Sequence, residues 1–304
     1  MEIDKSLFEP ISAEDKDLNV IVRPSVTYLQ DAWDRLKKNK LAMGGLIVVL
    51  IIVLMAVFGP MISHYNYYKN DLANSGQWPT AKHWFGTDQF GRDIFTRNLY
   101  GARISLTIGF VVSLINLFIG ILYGGISGYI GGTVDNIMMR IVEIIYAVPF
   151  TIYVILIMII LGPGLKSIII ALTIGYWVDM ARIVRGEVLQ LKQREFVLAA
   201  KTLGARGRRI LLKHLLPNSI GPILVTMTLT VPSAIFTEAF LSFIGLGIKL
   251  PQASWGTLCS DALNGLTYYP YQLVFPALSI SITMLAFNFL GDGIRDAFDP
   301  KMRK

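Results

Sequence analysis

One cysteine, Cys259, stands in 304 residues, and only three histidines accompany it. A single thiol closes no disulfide within the chain, and Cys259 lacks the neighbours of a metal site, so it reads as a small packing residue. His64, His83 and His214 are too far apart in sequence to share ligand spacing. Charge is also scarce. Asp, Glu, Lys and Arg make up 16% of the chain, against about a quarter in a soluble domain. With 53% hydrophobic residues and a mean hydropathy of +0.54, this excludes an ordinary soluble domain and places the chain in a bilayer. Catalytic signatures are missing too. Without a GxxxxGK[ST] loop the chain is not expected to hydrolyse ATP, and neither HExxH nor GxSxG occurs. No enzymatic activity and no bound cofactor is expected. The net charge of +7 would suggest nucleic acid in a soluble protein, but here the basic residues cluster in a few loops. That is the pattern of membrane orientation, and nucleic acid is not an expected partner.

What is present is a series of long apolar runs. Segments 41–62, 104–127, 137–161, 167–184, 220–246 and 271–290 are candidate spans. About 20 apolar residues cross the hydrocarbon core, so five are long enough, and the fourth is marginal because Asp179 and Arg182 interrupt it. The expected fold is all-α and integral to the membrane, with six transmembrane helices. A polar leader precedes the first run, which is too long for the core of a cleaved signal. In that leader Val26, Leu29, Trp33 and Leu36 mark one face of a short helix, with Arg35, Lys37, Lys38 and Lys40 nearby. An interfacial helix on membrane lipid and a solvated leader both fit.

Lys37, Lys38 and Lys40, the cations of the loop between spans four and five, and Arg295, Lys301, Arg303 and Lys304 all fall on one side of a six-span chain. That side, with both termini, is expected to be the cytoplasm. The layout is then a leader at 1–40, a first helix at 41–62, an extracytoplasmic loop at 63–103, a five-helix core at 104–293 containing a cytoplasmic loop at 185–218, and a tail at 294–304. The 63–103 loop fits the rule poorly. It carries Lys69, Lys82, Arg92, Arg97 and Arg103, only partly offset by Asp71, Asp88 and Asp93.

Within the spans, Gly120, Gly124, Gly128 and Gly132 recur every fourth residue and form one stripe. Such a stripe suits a close helix crossing or ordinary intramembrane packing. Arg140 with Glu143, and Asp179 with Arg182, are three residues apart and are expected to pair on their own helices. Glu238 has Phe236, Phe240 and Phe243 nearby and no local cation. It must find a partner on another helix, carry a proton or face a wet cavity.

The loop EFVLAAKTLGARGRRILLKHLLPN, 195–218, reads as helix, turn, helix and then a span. Phe196, Ala199, Ala200 and Leu203 form a small apolar face. Gly204 permits a left-handed turn. Ile210, Leu211 and Leu215 mark a second stripe among Arg206, Arg208, Arg209 and Lys213. A basic helix on anionic lipid would explain the charge, but the glycine and the paired alanines suit a helix seated in a protein groove.

These residues resemble the EAA loop of ABC importer permeases: Ala199-Ala200, then Gly204, then Leu216-Pro217. Leu198 stands where the usual glutamate precedes the alanines, and His214 replaces an isoleucine. Both departures are similar to the peptide/nickel branch. HWFGTDQFGRDIFTRNLYGARISL (83–106), TEAFLSFIGLGIKLPQASWGTLCSDA (237–262) and LGDGIRDAFDPKMRK (290–304) resemble the C-type subunit of dipeptide and oligopeptide permeases.

That resemblance implies the type I importer permease fold and a prokaryotic cell-membrane location. It implies a heterodimer with a second permease subunit enclosing the pathway. It also implies one or two kinds of cytoplasmic ATPase using ATP-Mg, and an extracytoplasmic substrate-binding protein. Glu195, Phe196, Ala199, Ala200, Gly204, Ala205 and Pro217 are then the ATPase-coupling residues, and Glu238 is a pathway or interhelical polar residue. Nickel, opines, glutathione or oligosaccharides are alternative cargoes. A proton-coupled secondary transporter using Glu238 and a non-transporting scaffold are the rivals from other classes.

Overall fold

The computed structural model describes residues 27–249 and 251–299; the leader up to Val26 and the end of the tail lie outside them. In chain order the helices are α1 (Tyr28–Lys38), α2 (Lys40–Ile62), α3 (Ile94–Ile130), α4 (Gly132–Ala147), α5 (Phe150–Leu161), α6 (Leu165–Leu191) and α7 (Glu195–Thr202). There follow α8 (Gly207–Ile210), a π-helical turn at Leu211–Leu215, α9 (Leu216–Asn218), α10 (Ile220–Leu241), a second π turn at Ser242–Leu246, α11 (Trp255–Ala262) and α12 (Tyr271–Phe298). α2, α3, α6, α10 with its π turn, and α12 are each long and apolar enough to cross a membrane, and the bent pair α4–α5 supplies a sixth candidate.

α3 and α6 form the most extensive pairing, with α10 against both; α12 packs on α10 and α2. The glycine stripe explains the closeness of α3 and α6. A Cβ on Gly120 would overlap the Met180 side chain, one on Gly124 the Ala181 carbonyl, and one on Gly128 would lie 2.8 Å from the Arg185 carbonyl oxygen. In a bilayer, where burial from water no longer drives helix association, such backbone approach is how helices hold together. Gly132 does not belong to the stripe: α3 ends at Ile130, and Gly132 opens α4 with φ +58°.

The continuous third span expected at 137–161 is broken. α4 and α5 meet at 84°. Val148 is extended (φ −81°, ψ 125°) ahead of Pro149, because the pyrrolidine ring disfavours the helical conformation of the preceding residue. The second span also starts earlier than expected, at Ile94 rather than 104. Asp93 caps it by accepting the Thr96 N–H at 2.8 Å. The fourth runs on to Leu191 and the sixth to Phe298, so residues 185–191 and 294–298 are helix rather than loop or tail.

Gly221 lies against Phe298, and Gly293 lies against Ala42 and Leu36. α1, the start of α2, the α7–α10 loop and the end of α12 therefore share one end of the bundle. α1 is capped by a Thr27–Gln30 capping box and docks through Ala32 and Leu36 beside Ala42 and Ala297. Leu29 and Trp33 stay exposed, which fits a helix on lipid and a solvated leader alike.

Candidate functional site

α7 rests on α6 through one fully buried side chain, Val197, which joins Met180, Val184, Val188, Ile210, Leu215 and Ile223. Its opposite surface is apolar and uncovered: Phe196 is 41% exposed and Leu203 88% exposed, with Ala199 between them also exposed. Ala200 faces the other way and packs with Ala205 against the Val197 cluster, so the face expected from sequence is divided. Glu195, exposed, sits in the first turn of α7, where the helix dipole favours a carboxylate. The turn after α7 is a Schellman cap. The Ala205 N–H reaches the Ala200 carbonyl at 3.0 Å and the Gly204 N–H the Lys201 carbonyl at 2.9 Å. Gly204 adopts φ +79° in open space, so glycine is required there for its backbone and not for room.

The second half of the loop carries Arg206, Arg208 and Arg209 outward and buries Ile210 and Leu215. Pro217 is exposed within α9, at the far end from Gly204. Having no N–H to return to Lys213, it accompanies the π turn at Leu211–Leu215.

Glu238 is elsewhere. It is wholly buried in α10 and accepts three hydroxyl hydrogen bonds, from Ser254 at 2.6 Å, Ser242 at 2.7 Å and Ser105 at 3.2 Å. Ser254 is the N-cap of α11, and Ser105 also accepts the Trp255 N–H at 3.2 Å. The partner is thus neither a cation nor a wet cavity but three serines from α3, the second π turn and the start of α11.

Cys259 lies close by in α11, and burial, helped by the Glu238 charge, pushes its thiol up to about 12. An ordinary thiol titrates near 8.5, so at neutral pH the thiolate is far scarcer here. Maleimide labelling of the folded protein should be slow at pH 7, quicken steadily with rising pH, and become rapid on unfolding. Labelling as fast as a free cysteine's would show that α11 is not seated as described.

Arg140 and Glu143 do pair, at 2.8 Å, on an exposed face. Asp179 and Arg182 do not form the expected salt bridge; the Arg182 guanidinium lies 4.2 Å from the centre of the Tyr146 ring. Two ionic groups had no signal in sequence spacing. Arg185 on α6 binds Asp135 on α4 through Nε and Nη2, at 2.5 and 2.6 Å. In the 63–93 region, Asp88 holds Arg92 at 2.7 Å and Arg97 at 2.5 Å, and Arg97 also reaches Asp261 at 3.3 Å. Arg92 and Arg97 are thus paired with carboxylates within the fold. Among the described residues no cluster of His, Cys, Asp or Glu is arranged to hold a metal.

Residues 119–304 match the family described as the inner membrane component of binding-protein-dependent transport systems. Residues 27–79 match the N-terminal transmembrane domain of oligopeptide transport permease C. The chain is 56% identical over 302 residues, 99% of each chain, to the oligopeptide transport system permease protein OppC of Bacillus subtilis strain 168. It is 55% identical to the dipeptide transport system permease protein DppC of the same strain, covering 96% of this chain and 91% of the relative. To OppC of Escherichia coli K12 it is 44% identical, over 90% and 91%. Its fold is similar to a chain from inward-facing crystals of the MetNI methionine ABC transporter, with a TM-score of 0.55 at 21% identity, covering 66% of this chain and 94% of that one.

Proposed function

The chain belongs to the family of inner membrane components of binding-protein-dependent transport systems, and from that premise we propose that it is the C-type permease subunit of an ABC importer for di- and oligopeptides. The peptide-permease names of its relatives support the cargo class. It forms half of a pathway completed by a second permease. Catalysis belongs to cytoplasmic ATPases that use ATP-Mg, and this subunit binds no cofactor of its own. A binding protein delivers substrate from outside, and the α7 end of the bundle, with both termini, lies in the cytoplasm.

The observation that carries the coupling role is the uncovered apolar face of α7. Phe196, Ala199 and Leu203 present it, while Val197 fixes the same helix rigidly to α6. A helix held from behind and bare in front moves as one body with whatever groove seats it. Glu195 and Ala205 frame that helix at its two ends, and Pro217 sets the return into α10.

The test is a cysteine at Ala199 in a Cys259→Ser background. It should cross-link to the ATPase in native membranes; a full complex without that cross-link would remove α7 from the contact. Gly204→Val should then lower peptide uptake at least tenfold with insertion unchanged. A β-branched residue at φ +79° costs about 1–3 kcal/mol of backbone strain, which the turn relieves by changing shape. Normal uptake would show that the turn's geometry is not used.

A further inference from the structure

α4 is held to the bundle sparingly. Only two of its side chains, Asp135 and Val142, are buried, and its exposed face carries Ile137, Ile141 and Ile144. Both ends are points where the backbone turns. At its start Gly131 and Gly132 both take positive φ, +73° and +58°. A Cβ on Gly132 would meet nothing within 4 Å, so these glycines serve conformation rather than close packing. At its far end the extended Val148 and Pro149 break it from α5. α5, by contrast, is anchored: Val154 and Met158 are buried with Ile168, Ala171 and Leu172 of α6.

Three side-chain links hold this helix: Tyr123 of α3 donates to the Met138 carbonyl at 2.8 Å, Arg182 of α6 lies over the Tyr146 ring, and Asp135 makes the strongest. Asp135 accepts Arg185 bidentately and also the Ser127 hydroxyl at 2.5 Å. Arg185 stands on the last two turns of α6, beside Val184 and Val188, the residues that seat Val197 of α7. The same corner is tied once more. Lys192, directly after α6, donates to the Tyr129 carbonyl at 2.5 Å, and the Tyr129 ring lies against Gly207 at the start of α8. Tyr129 belongs to α3, so the ends of α3 and α6 and the α7–α8 loop form one body, and Asp135, held by Arg185 of α6 and Ser127 of α3, ties α4 to it. Bidentate, charge-assisted pairs fix direction as well as distance, which suits a link that must pull.

We propose that Asp135 and Arg185 are the positioning pair through which movement of the α7 loop reaches α4, a lever hinged against α5 at Val148–Pro149. This rests on the docking role given to α7 above. Displacing α7 carries the ends of α6 and α3, Asp135 follows through Arg185 and Ser127, and, with α5 staying packed on α6, α4 swings at Val148–Pro149. Its apolar face of Ile137, Ile141 and Ile144 is what changes position.

The complete transporter, reconstituted in liposomes, tests the pair. Asp135→Asn and Arg185→Gln should keep assembly and the Ala199→Cys cross-link, but lose roughly tenfold in peptide carried per ATP hydrolysed, within the usual range of coupling between sites. The exchange Asp135→Arg with Arg185→Asp should recover most of it, which a general loss of stability would not. Wild-type coupling in both single variants, with the cross-link present, would overturn the pair and leave α7 docking intact. Absence of the cross-link in the otherwise wild-type complex would withdraw both. Should the single variants fail to assemble, spin labels at Ile141 of α4 and Ile159 of α5 decide in the otherwise wild-type complex. Their separation should change between nucleotide-free and vanadate-trapped states, and an unchanged separation would overturn the lever.

Discussion

Gly124→Val should abolish recovery of the folded subunit, while Gly125→Ala, one residue along, should leave it unchanged. The two glycines differ only in what lies opposite. A Cβ at Gly124 would overlap the Ala181 carbonyl oxygen and stand 3.0 Å from the Arg185 N–H nitrogen. These are backbone atoms inside α6 and cannot rotate away. At Gly125 the nearest neighbours are the methyls of Leu211 and Leu216 at 3.7 and 3.8 Å, ordinary contact distances. Forcing extra carbons into a packed contact costs about 1–3 kcal/mol when side chains can adjust. Here the helices themselves must separate along the most extensive pairing in the fold. That separation would also strain Arg185, whose guanidinium spans to Asp135, so residual protein should be uncoupled as well as scarce. The measurement is yield and monodispersity in mild detergent. Equal recovery of both variants would mean that α3 and α6 are not in backbone contact.

Much of this architecture is legible in sequence, for a physical reason. A membrane span must be apolar along some 20 residues, so α2, α3, α6, α10 and α12 announce themselves. The break between α4 and α5 is less visible because the apolar run continues across it; only the effect of Pro149 on Val148 interrupts the helix. Polar partnerships divide the same way. Arg140 and Glu143 meet because one helix sets their spacing. Arg185 and Asp135 are 50 residues apart and meet through tertiary packing, and Arg182 leaves Asp179 for a ring on another helix. In the α7 loop the apolar pattern was readable, but not which side would be used twice. Val197 turns out to face the core, leaving Phe196, Ala199 and Leu203 bare and Ala200 within. Glu238 shows the limit most plainly, since its three donors come from residues 105, 242 and 254 and no periodicity joins them.

For Glu238 the expected result is a division between two substitutions. Glu238→Ala should cut the yield of intact complex at least tenfold, whereas Glu238→Gln should assemble at lowered thermal stability and still transport. With alanine, Ser242 can turn its hydroxyl to the carbonyl four residues earlier, a bond open to any helical serine. Ser105, inside α3, has the same recourse, but Ser254 is less free. It is the N-cap of α11 and already accepts the Thr257 N–H, so it needs an acceptor for its own proton. Leaving that buried donor unsatisfied costs about 1–3 kcal/mol, and the vacated carboxylate adds a cavity. The sum is a large part of the 5–15 kcal/mol that holds a typical domain together. Glu238 also holds Ser254, the N-cap of α11, so α11 should loosen from α3 and α10 together. Glutamine keeps an oxygen for Ser242 and Ser254 but turns an amide N–H₂ toward Ser105, which must then reverse its donor role. One bond is compromised rather than three. The readouts are complex yield, melting temperature in detergent and peptide uptake. Full yield and stability for Glu238→Ala would refute the anchoring role. Collapse of uptake in a well-assembled Glu238→Gln would instead require that the proton or charge at this position take part in transport.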